Sequence, residues 1–73
     1  MWIKTALNDW IDTGAILAVT VLPANNPGSF YVSAMTAGGK VMLTGNFRHN
    51  DGAQKYADEF VAKFLKEADK NDG

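Results

Sequence analysis

The sequence contains no cysteine, two prolines and one histidine in 73 residues. Without cysteine there is no disulfide framework and no thiolate metal cluster. Neither sign of charge dominates. Seven Lys and Arg against eight Asp and Glu leave a formal net charge of −1, which argues against a strong electrostatic grip on nucleic acid or an anionic membrane. Long apolar runs are missing too. The longest, Ala15 to Leu22, is interrupted by Thr20 and stopped by Pro23, far short of the ~20 residues that span a bilayer. The start, Met1-Trp2-Ile3-Lys4-Thr5, alternates like a strand and lacks the pattern of a secretory signal. A cytoplasmic protein is the expectation.

What the sequence does have is apolar content, 47% of residues, too much at this net charge for a disordered chain. One domain covering residues 1–73 is expected. A domain of this length buries only about 60% of the surface that its unfolded chain exposes. A core of this kind rarely supplies more than roughly 3–5 kcal/mol of net stability, and association is a common supplement. A homo-oligomer, a dimer in the first instance, is therefore expected.

The chain divides into two periodicities. Ala53, Tyr56, Ala57, Phe60, Val61, Phe64, Leu65 and Ala68 fall at alternating spacings of three and one, a single stripe on a helix of 3.6 residues per turn. The helix is placed at 52–69. Asp51 and Gln54 have the spacing of a capping box, and Glu59 and Lys63 that of a favourable ion pair. The polar end, Asn71-Asp72-Gly73, is expected to fray.

Upstream the pattern is that of strands, placed at 2–5, 10–13, 15–22, 30–36 and 41–47. Asn8-Asp9 suits a tight turn, Pro27-Gly28 a type II turn, and Gly38-Gly39 a hairpin. Short connections make neighbouring strands antiparallel. The predicted fold is α+β: an N-terminal hairpin and a three-strand meander, packed on one face by one C-terminal helix. Leu17, Val19, Val21, Phe30, Val32, Val41, Leu43 and Phe47 are assigned to the helix face. Ile16, Ala18, Thr20, Tyr31, Ser33, Met35, Met42 and Thr44 then fall on the other.

That second face lacks the Lys, Glu and Gln of a solvated sheet, and no other helix is available to cover it. Uncharged faces of this kind mark interaction surfaces. The candidate interface residues are Ile16, Tyr31, Ser33, Met35 and Met42. Trp2 and Trp10 are expected to complete the core, the commoner role of large aromatics. On an edge hairpin they would instead extend the interface as binding hot spots.

The order of elements, from Trp2-Ile3-Lys4-Thr5 and Trp10-Ile11-Asp12 through three longer strands to an amphipathic helix, resembles small uncharacterised bacterial and phage domains. That resemblance implies a meander with one packed helix and self-association, with no assigned chemistry. Gly28-Ser29-Phe30-Tyr31-Val32-Ser33-Ala34-Met35 is faintly similar to the aromatic strand of RNA-recognition motifs. It departs from them at Pro27, where a basic residue belongs, and at Ser33 and Met35, where rings belong.

Chemical motifs are sparse. Arg48, His49 and Gly52 could line an anion site at the helix start, but Asp51 competes for the same amides, and a capping role is expected. Asp9, Asp12, Asp51 and Asp58 lack metal-loop spacing. Ser29 and Ser33 lack a nucleophile context. Gly38-Gly39-Lys40 is too short to cradle a phosphate. No catalytic, cofactor or metal residues are assigned, and an enzyme is not expected. The expected function is that of an interaction or accessory protein. The alternative is a phage-like nucleic-acid-binding or regulatory protein, with Lys4, Lys40 and Arg48 as the basic residues outside the helix.

Overall fold

A computed structural model describes residues 1–65. The order is β1 (Trp2–Lys4), β2 (Trp10–Asp12), a 3-10 turn (Thr13–Ala15), β3 (Ile16–Pro23), β4 (Phe30–Thr36), β5 (Gly39–Met42) and α1 (Asn50–Phe60), which continues as a π-helical turn (Val61–Leu65). The architecture is α+β, as the periodicities predict. β1 and β2 form one antiparallel sheet, and β3-β4-β5 form a second. α1 lies over β3 and β4.

Thr5 organises the first turn. Its N–H donates to the Asp9 carbonyl at 2.7 Å, and its Oγ1 accepts from the N–H groups of Leu7 and Asp9. Asn8 takes a left-handed conformation, φ 67°, which asparagine tolerates better than most residues. The Pro27-Gly28 turn forms as expected: Ser29 N–H donates to the Asn26 carbonyl at 3.0 Å, and Gly28 sits at φ 80°, the third-position geometry of type II. The β4–β5 turn differs slightly. Gly39 pairs with Thr36, so the turn residues are Ala37 and Gly38.

The core gathers Ile11 from the hairpin, Val32, Ala34 and Leu43 from the meander, and Ala53, Ala57 and Phe60 from the helix. Burying side chains such as Leu43 and Val32 contributes about 1.5–3 kcal/mol each. Phe47, Tyr56, Phe60 and Phe64 form a chain of ring contacts with centroids 4.9–6.4 Å apart.

Several expected boundaries are corrected. β1 ends at Lys4 and β2 at Asp12. The latter stops because Asp12 Oδ1 accepts from Gly14 N–H at 3.0 Å and opens the 3-10 turn, so β3 starts at Ile16 rather than 15 and runs on to Pro23. The last strand was expected over 41–47 but ends at Met42. Beyond it Leu43 N–H still donates to the Val32 carbonyl. The next rung is made by a side chain instead: Thr44 Oγ1 accepts the Val32 N–H at 3.1 Å. The Leu43 carbonyl turns to Ala6 N–H at 3.2 Å, tying the hairpin to the meander. Phe47 rejoins β4 as an isolated bridge to Phe30.

The helix starts at Asn50, with His49 at its N-cap and no side-chain capping bond. The Asp51–Gln54 capping box is therefore not formed, because Asp51 lies inside the first turn. At the other end the wider π-helical turn rotates the stripe, leaving Val61 exposed while Phe60 is buried. Glu59 and Lys63 form no ion pair among the described residues, where the one salt bridge joins the Met1 ammonium to Asp12. The predicted helical residues 66–69, including Ala68, and the polar end 71–73 lie outside the described residues.

Candidate functional site

Cross-strand register places Ala18, Thr20 and Leu22 of β3 beside Met35, Ser33 and Tyr31 of β4, with Lys40 and Met42 completing the rows on β5. This is the open face, opposite the helix. Ser33 sits at its centre and is 0% exposed. Its hydroxyl lies 3.2 Å from Thr20 Oγ1, so a small polar pair is sealed in the middle of the sheet. Around it the apolar groups reach outward: Met35 and Met42 are 38% and 40% exposed, and Tyr31 is half-buried. Lys40 Nζ donates to the Tyr31 hydroxyl at 2.8 Å, anchoring the lone charge of the face at its margin. A shallow cleft of about 240 Å³ opens where Tyr31 and Met42 meet Pro23, Ala24, Asn25 and Asn46.

Tyr31, Ser33, Met35 and Met42 thus share the face that alternation assigns them. Ile16 does not. The β3–β4 register shifts between Ile16 and Ala18, the signature of a bulge, and one inserted residue reverses the alternation upstream of it. Ile16 packs against the core, and Leu17, expected in the core, is 74% exposed. Thr44 also leaves the face. It is buried, donating to the Gly45 carbonyl at 2.8 Å while it accepts from Val32.

The tryptophans are a second correction. Register pairs Trp2 with Asp12, Ile3 with Ile11 and Lys4 with Trp10. Ile3 and Ile11 turn to the core, and strand alternation then sends Trp2 and Trp10 the other way. They are 65% and 63% exposed. Lys4 Nζ stands 5.9 Å from the Trp10 ring centroid. The only sign of this in the sequence is the strict alternation of Trp2-Ile3-Lys4, read without regard to side-chain size.

Electrostatics are mild. The Met1 ammonium, 3.0 Å from Asp12 Oδ1, holds that carboxyl below its ordinary value, with help from the Gly14 N–H. At the helix start Arg48, His49 and Gly52 are all exposed. Among the described residues no three His, Asp or Glu side chains come together as metal ligands, and no helix is long and apolar enough to cross a membrane. A shallow groove of about 200 Å³ follows the helix along Tyr56, Glu59, Phe60, Lys63 and Phe64.

No family model, no curated protein and no solved structure matches the chain.

Proposed function

We propose that this is an interaction protein that works by covering its open sheet face with a protein partner, in the first instance a second copy of itself. The supporting observation is the placement of Tyr31, Met35 and Met42 around the sealed Thr20–Ser33 pair. The methionines are flexible and partly exposed, a side chain suited to adaptable contacts. Trp2 and Trp10 supply a separate pair of exposed anchors of the kind that dominates binding energy in interfaces.

Sedimentation tests the reading. Met35→Glu or Tyr31→Glu is expected to lower the solution mass by one association step, with the circular dichroism unchanged. A wild-type chain that stays monomeric at millimolar concentration ends it.

Lys4 beside Trp10, with Trp2 on the same face of the hairpin, gives single-stranded nucleic acid a second place. Stacking on aromatics beside a basic residue is how such strands are held without sequence preference. Asp12 on that same face opposes it. Titration of a labelled oligonucleotide at low salt decides: no binding at 20 mM salt removes this alternative.

A further inference from the structure

The backbone of β4 fixes which groups of β3 are left over. Val32 accepts from Leu43 N–H, and Phe30 exchanges both of its bonds with Phe47, so the even-numbered residues of β4 point away from β3. Strict alternation then leaves Tyr31, Ser33 and Met35 to bond Leu22, Thr20 and Ala18. The N–H and C=O groups of Val19 and Val21 point off the outer edge of the sheet. Among the described residues nothing pairs with them.

Edges of this kind are usually blunted by a charge, a proline or a bulge. β5 is short and carries Lys40, and β1 carries Lys4. β3 has eight residues and no charge. Its bulge lies at one end and its proline at the other, so the register from Ala18 to Leu22 is regular and bare.

We propose that β3 pairs antiparallel with β3 of a second copy, about a two-fold axis through Thr20. Three observations select a second copy as the occupant. First, the register is self-complementary. Val19 faces Val21 of the other copy twice, and their outward groups make four backbone hydrogen bonds. Thr20 faces Thr20, Ala18 faces Leu22, and no like charges meet. Second, the helices fit. α1 lies over β3 as well as β4, so a two-fold beside β3 sets the two helices next to each other on one side of the joined sheet. Third, the open face alone is small. At ordinary strand rise and spacing the strands β3–β5 cover roughly 300 Å², under half of the ~800 Å² that each partner gives to a stable complex. Joining two sheets edge to edge makes one six-stranded sheet and doubles that face.

The edge contact extends the sheet, whereas the face contact covers it, so the two separate by mutation. Met35→Glu, which disables the face, is expected to remain a two-chain species by sedimentation. Adding Val21→Pro, which deletes one outward N–H per copy and hence two of the four bonds, is expected to weaken that species about 30-fold. Val21→Thr, which keeps the N–H, leaves it intact. In the unmodified chain the Val19 and Val21 amides should exchange more slowly with deuterium as concentration rises, with Thr20 protected throughout. A Met35→Glu chain that is monomeric at every concentration overturns the edge contact and leaves the face reading standing. So does exchange at Val19 and Val21 that ignores concentration. A monomeric wild-type chain overturns both.

Discussion

The hairpin and the meander use bulk in opposite ways. The hairpin turns its two isoleucines to the core and holds its two tryptophans in solvent, whereas the meander sends its valines and Leu43 to the core and keeps methionine and tyrosine for the far side. In both, alternation decides which residue is buried and side-chain size does not. A large aromatic on the wrong parity of a strand stays outside, because turning it inward would flip every neighbour with it.

The contrast breaks most visibly at Ile11 and Trp10. Ile11→Ala empties a buried position and is expected to cost about 2–5 kcal/mol, near the whole stability of a domain this size. Trp10→Ala, next door and larger, should cost below about 1 kcal/mol. Urea denaturation of both variants measures the difference, and equal losses would mean that the tryptophan is packed after all. Next in size is Thr44→Val. It keeps the shape but strands the buried Val32 N–H, an expected loss of about 1–3 kcal/mol that thermal unfolding reads directly. If Thr44→Val is neutral, the rung beyond β5 is not made by the hydroxyl.

The turns sharpen the comparison further. Gly28 and Asn8 both have positive φ, yet only glycine takes it without steric cost. A Cβ at Gly28 meets nothing within 4 Å, so Gly28→Ala isolates the conformational penalty, about 1 kcal/mol of destabilisation. Asn8→Gly should be near neutral by the same assay. The smallest effect belongs to Asp12, on the exposed face of the hairpin. Its carboxyl is held below the ordinary 3.8 by the Met1 ammonium and then the Gly14 amide. A lowered folded-state value means that the charged form is favoured by folding. Its contribution is complete above the ordinary value and disappears as pH falls through the lowered one. Asp12→Asn should therefore narrow the gap between wild type and variant only in acid, below about pH 4, when melting is followed against pH.

Much of the architecture was legible because it rests on period. The helix stripe from Ala53 to Phe60, the five strands, the type II turn and the shared face of Tyr31, Ser33, Met35 and Met42 all follow from spacing and from turn residues. The errors sit where a local hydrogen bond overrides period. Asp12 captures the Gly14 amide and draws the chain into a 3-10 turn, and the bulge that follows exchanges Ile16 and Leu17. Thr44 substitutes a hydroxyl for a backbone acceptor and shortens β5. The helix begins two residues before the expected start because Asn50 and Asp51 join the first turn instead of preceding it. Val61 leaves the stripe through a change in helical pitch that no apolar spacing announces. Trp2 and Trp10 take the exposed of their two expected places for a different reason: parity along the strand, not side-chain size, decides the face. The outer edge of β3 was not legible at all, since which strand stands outermost is a property of the assembled sheet.

The Leu17 bulge and Pro23 have one more effect. Together they leave a bare window of five residues, Ala18 to Leu22, whereas the opposite border is short and carries Lys40. A ladder started in that window runs no further than five residues before the bulge or the proline breaks its register.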